Sequence, residues 1–366
     1  MIKIVNVANI DPSEKCGGLN LMVKNIIRAE NECGINSSLI YFNRPRYPDS
    51  NLKLSSRFKS IFNFINSVDS SKHYVFHSVY NVKYIGMMLA ILIKGAKYSI
   101  HAHGSLSNHC IRKSKVKLVF FKPVIELMLY FSSRVIFSNQ SEFKYSFFKN
   151  TAKVSFIPNL IKKNDLCEGK CRKIKKIIFV GKVDYYYKGI RVLLRAMSEF
   201  ITQHPDYILE IYGYGNSKNI EIESIPQSET DLNQLFIDID KFNLKKNVFF
   251  RGPVTGKSKS DLFQESGLFV LTSNSEAMPL AISEALSSGL PALVTPETNM
   301  ATYIEDYKAG IVSENNTDAV YEALCKYDQI ISKDHAAYSK RALILFKNEL
   351  DECNLSLFIN KFLKSL

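Results

Sequence analysis

The chain has 366 residues, 46% of them hydrophobic and 23% charged, with a formal net charge of +13 at pH 7. That length exceeds what one hydrophobic core serves, and the composition is that of a globular chain, not a disordered or fibrous one. The longest charge-free apolar run, the ten residues between Lys83 and Lys94, is about half of what a membrane-spanning helix needs, so no span is expected.

The opening MIKIVNVANI lacks the basic region and long apolar stretch of a secretory leader, and Ile2 to Ala8 reads as a buried strand. Asp11 to Gly18 is a polar loop. Leu19 to Cys33 follows as a helix, with Leu19, Val23, Ile26, Ile27 and Glu30 at helical spacing and Gly34 ending it. Short strands are expected at Ser38–Phe42, His73–His77, Lys97–His101 and Arg134–Ser138. The pattern restarts after a polar, Lys-rich stretch from Pro158 to Lys176. Strands follow at Ile177–Val180, Ile208–Tyr212, Val248–Phe250, Leu268–Leu271 and Ala292–Thr295, with helices at Gly189–His204 and Leu280–Ser288. Leu343 to Leu366 closes the chain as one helical pattern. Strand–helix alternation predicts two α/β domains with parallel sheets. We expect domains at 1–165 and 166–345, with a helix over about 346–366 packing back on the first. Such sheets bind ligands beyond their strand ends, so the cleft between the domains is the expected site.

Charge is unevenly spread. Residues 1–170 hold 25 Lys and Arg against 10 Asp and Glu, and the remainder holds 23 against 25. A basic half suits an anionic lipid surface or a phosphate-bearing ligand; a generally basic solvated surface is the plainer reading. No nucleic-acid recognition motif accompanies the charge, so no nucleic acid is expected. In Leu52 to Val68, the residues Phe58, Ile61, Phe62, Ile65 and Val68 share one helical face, and Lys53, Arg57 and Lys59 crowd its start. Arg112 to Lys122 adds a second basic run. That face either packs on the sheet or lies in a lipid interface. The seven cysteines, Cys16, Cys33, Cys110, Cys167, Cys171, Cys325 and Cys353, are odd in number and irregularly spaced, which fits reduced thiols and a cytoplasmic setting. Cys167 and Cys171 lack the second pair a structural zinc needs.

The richest segment is SNSEAMPLAISEALSSGLP, Ser273 to Pro291. Glu276 and Glu284 stand eight apart across a helix start marked by Pro279. The free N–H groups over Ala277 to Ala281 make an anion site, and a carboxylate on the same helix can accept two hydrogen bonds from a ribose. Taken alone, such glutamates also read as surface residues.

This Glu-x7-Glu segment, followed by Ala-Leu-x-x-Gly-x-Pro, resembles the donor signature of retaining glycosyltransferases of family 4. Other pieces stand in the family's order: FIPNLI (Phe156–Ile161), FVGKVDYYYKGIRVLLRA (Phe179–Ala196), LEIYGYG (Leu209–Gly215), VFFRGPV (Val248–Val254) and SGLFVLTSNSEAMP ahead of the acidic motif. The resemblance spans most of residues 154–312. It implies an α/β fold of the GT-B type, with two Rossmann-like domains whose parallel sheets face a central cleft. It further implies a metal-independent, retaining transfer of a sugar from a nucleotide-sugar donor to a saccharide or lipid-linked acceptor, in a setting of surface polysaccharide or lipopolysaccharide assembly at the cytoplasmic membrane face. No cofactor is implied.

Residue by residue, the resemblance assigns Lys182 and Lys188 to the diphosphate, Glu284 to the ribose and Glu276 to the donor sugar. Gly181 and the backbone of Ala277, Met278, Pro279 and Leu280 would line the phosphates, with amides near Met278 to Leu280 as the donors. His103 of HAHGSL would face the donor sugar, and Gly17 and Gly18 of the first loop would approach it as the lobes close. His103, Glu276 and Lys188 are the catalytic candidates. Lys188 also reads as a solvated lysine at a helix start, and the glycine pair as a turn into the helix. The chain departs from the family in having Lys182 for Arg, which loses the bidentate fork, and in having Ala277 and Leu160 for Gly. His73, His77, His101, His103 and His109 lie near one another in sequence, but His101 and His103 would need partners not evident from spacing, and no Asp-x-Asp pair is present, so no metal is expected. Ser138-Asn-Gln-Ser-Glu142 reads as a structural capping box. A sugar-nucleotide epimerase or a non-catalytic binding scaffold on the same fold are the alternatives.

Overall fold

The computed structural model describes residues 3–11, 18–43, 55–108, 110, 121–163, 173–214 and 227–366. The chain forms two compact units, Met1–Leu160 with Cys353–Leu366, and Ile161–Glu352.

The first unit carries strands β1 (Lys3–Ala8), β2 (Asn36–Tyr41), β3 (Ser55–Arg57), β4 (Lys72–His77), β5 (Lys97–His101), β6 (Val135–Phe137) and β7 (Val154–Phe156). Their order is β3-β2-β1-β4-β5-β6-β7, with every neighbouring pair parallel. The helices between them are α1 (Gly18–Glu32), α2 (Ile61–Ser67), α3 (Val82–Ile93), α4 (Lys122–Phe131) and α5 (Gln140–Lys144). Five of the six β1 residues are buried, as expected of a parallel strand covered on both faces. The C-terminal helix (Leu355–Leu363) lays Leu355, Ile359 and Phe362 against Ile4, Ile26, Ala29, Ile35 and Val75.

The second unit holds β8 (Lys173–Val180), β9 (Ile208–Tyr212), β10 (Val248–Gly252), β11 (Ser266–Leu271), β12 (Ala292–Val294) and β13 (Gly310–Val312). Their order is β10-β9-β8-β11-β12-β13, again all parallel. Around them lie α6 (Ile190–Gln203), α7 (Gln227–Lys241), α8 (Gly256–Glu265), α9 (Leu280–Ser287), α10 (Ala301–Asp306), α11 (Thr317–Lys326) and α12 (His335–Leu345). Helix α6 buries Ile190, Leu193, Leu194, Met197 and Phe200, an apolar stripe at helical period.

Three expectations need correction. The boundaries fall at Leu160/Ile161 and Glu352/Cys353, not at 165/166 and near 345. Ile161 bridges Asp351 in parallel, and backbone bonds from Ile161 to Leu350 and from Glu352 to Ile161 tie both segments to the second unit. The closing helical pattern is not one helix: Asp351 is extended, with φ −74° and ψ 132°, and the chain turns there before the C-terminal helix. Finally, residues 55–68, the described part of the 52–68 segment, do not form one amphipathic helix. Residues 55–57 add the edge strand β3, and α2 starts only at Ile61, where the Ser60 side chain accepts from Asn63 N–H. Phe64 is the buried residue of α2, while Phe62 is 69% exposed. Lys53 and most of the basic run Arg112–Lys122 lie outside the described residues. Among the described residues no helix is long and apolar enough to cross a membrane.

Candidate functional site

In each sheet the strand order reverses once, between β1 and β4 and between β8 and β11. Loops diverge at such a switch point and leave room for a ligand beyond the strand ends. Each unit gathers its candidate residues there.

In the second unit, β8 ends at Val180 and runs into Gly181, Lys182 and the turn to Gly189. The turn is locked locally: Asp184 Oδ1 accepts from Tyr187 N–H at 3.0 Å, and Lys188 N–H donates to the Asp184 carbonyl at 2.9 Å. Asn274 N–H, beyond β11, donates to the Tyr187 carbonyl at 2.7 Å. Gly189 has φ +59°, and a Cβ there would sit 1.9 Å from the Thr272 carbonyl oxygen. Only glycine lets the loop close on β11. Lys188 is thereby delivered to Glu276, with which it forms a salt bridge; its Cε also lies 3.9 Å from where a Cβ on Gly181 would be. Lys182 is exposed.

Glu276 is held from several sides. Ser273 Oγ donates to Glu276 Oε1 at 2.8 Å, Glu276 N–H donates to the Glu297 carbonyl at 2.9 Å, and Asn299 Nδ2 donates to the carbonyls of Glu276 at 2.7 Å and Ala277 at 3.1 Å. Met278 buries its side chain. Pro279 precedes α9, and no side chain caps that helix, which leaves its positive end to a ligand. Glu284, the fifth residue of α9, pairs with Lys259 Nζ at 2.6 Å. Lys259 on α8 had no signal in the sequence: one lysine of GKSKSD is indistinguishable from the next until the helix is oriented.

In the first unit, β4 ends at His77 and β5 at His101, and His103 follows in a turn. His77 Nδ1 and His103 Nε2 are 2.9 Å apart, and the His101 ring stacks on His103 with centroids 3.8 Å apart. His77 Nε2 meets Asn6 Oδ1 at 2.8 Å. These three histidines supply the partners that spacing alone did not reveal. One ring nitrogen of each lies within 4.8 Å of the others, a spacing that a metal ion could bridge, and the rings are inclined to one another by 20°, 26° and 37°. Burial drives the His77 and His101 pKa values well below 6.5 and that of His103 to about 3.

His103 sits at φ +46° and Gly104 at φ +78°. Gly104 N–H donates to Glu142 Oε1 at 2.5 Å and Ser138 N–H to Glu142 Oε2 at 2.6 Å. Glu142 is therefore more than a helix cap: Asn139 caps α5, accepting from Glu142 N–H at 2.8 Å, while the carboxylate holds the His103 turn. Burial raises the Glu142 pKa. Gly18 is the exposed first residue of α1. Gly17, His109, Gly215, Cys16, Cys167 and Cys171 lie outside the described residues.

The profile of glycosyl transferases group 1 matches residues 168–352, half of the chain. The chain belongs to the glycosyl transferases group 1 family. Among curated relatives of this glycosyl transferase, the mannosylfructose-phosphate synthase of Agrobacterium fabrum is 30% identical over 108 residues, 30% of this chain and 22% of the relative. The match thus spans under a quarter of that relative's length. Two solved structures share the GT-B fold at 14% identity and a TM-score of 0.77: sucrose-phosphate synthase from Thermosynechococcus elongatus, over 100% of this chain and 98% of the other, and Anabaena HepE in complex with UDP, over 100% of both.

Proposed function

We propose that the protein is a retaining, metal-independent glycosyltransferase that takes its sugar from a nucleotide-sugar donor. One observation carries the reading. The β8/β11 switch point sets a lysine beside a carboxylate twice, Lys188 with Glu276 and Lys259 with Glu284, next to an uncapped helix N-terminus. A nucleotide sugar presents the matching chemistry, a diphosphate flanked by two polyols. Lys182, Lys188 and the α9 amides, with Gly181, take the diphosphate. Glu284 takes the ribose and Glu276 the sugar hydroxyls. The UDP bound to the similarly folded HepE supports this class of donor.

In the transfer, the bond from the anomeric carbon to the phosphate oxygen breaks. The acceptor oxygen bonds to that carbon on the same face, and its proton passes to the departing phosphate. The lysines and the helix dipole stabilise the charge developing on the leaving group, which removes the need for a metal. His103, with Gly17 and Gly18 of the first unit, serves a saccharide.

The acceptor is a saccharide or a lipid-linked saccharide, in surface polysaccharide or lipopolysaccharide assembly at the cytoplasmic membrane face. Supporting this, α2 and α3 expose Phe62, Val82 at 66% and Ile93 at 83%, beside the exposed Arg57, Lys59, Lys83 and Lys94. A groove of about 280 Å³ lies among Phe58, Ile61, Val82, Lys83 and Gly86.

The test is a panel of UDP-, GDP- and dTDP-sugars with EDTA present, read by thermal shift and nucleoside diphosphate release. One donor should stabilise the protein and release its diphosphate slowly. Lys188→Ala and Glu284→Ala should each weaken binding by about 10- to 100-fold, the loss of a hydrogen bond to a charged group. No shift with any nucleotide sugar or free diphosphate would leave a scaffold; epimerised donor without transfer would mark an epimerase.

A further inference from the structure

We propose that Asn6 and His77 are positioning residues that hold the proton of His103 on Nε2, so that His103 offers its ligand a bare Nδ1 and selects a hydroxyl over an anion. This rests on the reading above that the first unit serves a saccharide.

The direction of the hydrogen bonds starts at Glu30. This residue of α1 is 1% exposed, and its Oε2 accepts from Asn6 Nδ2 at 2.8 Å and from Ser37 Oγ at 2.6 Å. The second amide hydrogen of Asn6 goes to Ser37 Oγ at 3.0 Å. Both donors of the amide are then committed, and Asn6 meets His77 with Oδ1, which can only accept. The 2.8 Å contact therefore needs a proton on His77 Nε2. His77 is fully buried and touches no carboxylate among the described residues, so its ring is neutral and carries that one proton. Its Nδ1 is bare. The 2.9 Å contact to His103 Nε2 then needs a proton there, and a neutral His103 has its lone pair on Nδ1.

The ring cannot easily escape this assignment. A half-turn of the His103 ring would bring a C–H to His77 Nδ1 and lose the bond, and His101 packs on its face at 3.8 Å. The backbone is pinned too, through Gly104 and Glu142. His103 is the partly exposed member of the cluster, whereas His77 and His101 are buried. A phosphate or carboxylate oxygen would find no donor at Nδ1. A hydroxyl would, with its own proton, satisfy it.

The first test needs no variant: long-range 1H–15N spectra of 15N-histidine-labelled protein at pH 7.5. Both His77 and His103 should show a protonated Nε2 and an unprotonated Nδ1. Asn6→Leu should release His103 to a tautomer mixture. His77→Gln should keep His103 on Nε2, because its amide oxygen accepts from His103 while its NH2 donates to Asn6. In the transfer assay Asn6→Leu should lower kcat at least about tenfold with KM for the donor within about twofold, since a misplaced imidazole proton acts on the chemical step. Should Asn6→Leu not fold, the wild-type and His77→Gln spectra decide. A wild-type His103 protonated on Nδ1, or charged at pH 7.5, overturns the proposal. So does one equivalent of Zn2+ that displaces the Nε2 protons. Nucleotide thermal shifts on the same samples separate the two readings: a wrong tautomer with shifts intact refutes only the positioning, and lost shifts refute the donor site.

Discussion

At the scale of single residues, the loop from Gly181 to Gly189 depends on one backbone conformation. Gly189 is left-handed and pressed against Thr272, so Gly189→Ala meets both a strained φ and a backbone oxygen. We expect it to destabilise the second unit by about 3 kcal/mol or more, read as a lower urea midpoint; an unchanged midpoint would show that the loop relaxes freely. The residues named from the sequence had a local signal. Lys188 stands directly before the glycine, and Glu276 and Glu284 bracket a proline at a helix start. Asn6 and Glu30 had a weaker one, a polar residue in the middle of an apolar strand and a carboxylate on the apolar stripe of a helix. Lys259 had none.

At the scale of elements, β4 and β5 bring three buried histidines, His73, His77 and His101, into one sheet, with the half-buried His103 in the turn beyond β5. Burial holds the pKa of His73 down to about 4, with Lys97 adding to the effect, lowers that of His103 to about 3, and holds those of His77 and His101 well below 6.5. Each folded value lies below the unfolded 6.5. The stability these groups contribute is present above pH 6.5 and is lost as pH falls, because the unfolded chain takes up protons first. Glu30 has the opposite sign. Burial raises it from 4.5 to about 7, against the lowering by Ser37 and Asn6, so its contribution is present below pH 4.5 and is lost as pH rises through 7. Glu142, also raised by burial, acts in the same sense as Glu30, so between pH 4.5 and 6.5 four groups oppose two, and acidification should destabilise the first unit by on the order of 2 kcal/mol per pH unit. Urea midpoints at pH 7.5 and 5.5 measure it, and His101→Phe should flatten the slope. Equal midpoints would mean that the histidines are not held neutral.

At the scale of the whole molecule, the basic excess of residues 1–160, 22 Lys and Arg against 8 Asp and Glu, and the exposed apolar side chains of α2 and α3 belong to the first unit. If they meet lipid, the protein should sediment with vesicles containing anionic phosphatidylglycerol and be released as salt is raised to about 0.5 M, where screening is within a few ångströms. Phe62→Ser with Ile93→Ser should weaken sedimentation without changing the nucleotide thermal shift. Sedimentation that ignores both salt and these substitutions would remove the membrane-surface reading.

The sequence by itself determined two parallel α/β sheets and most of their strands, and it singled out Lys188, Glu276 and Glu284 as candidates, because hydrophobic period, turn glycines and helix starts are local properties of a chain. The three-residue strands β3, β7 and β13 escaped it, whereas β6 and β12, equally short, were legible from their apolar runs Val135–Phe137 and Ala292–Val294. The break at Asp351 escaped it as well, because the partner that extends that residue, Ile161, is 190 positions away in sequence. Only the tertiary structure decided that Lys259 faces Glu284 and that His77, His101 and His103 stack with Asn6 behind them. Those arrangements arise from the order in which strands lie side by side and from how helices turn upon them, and neither is written in the spacing of residues along one strand.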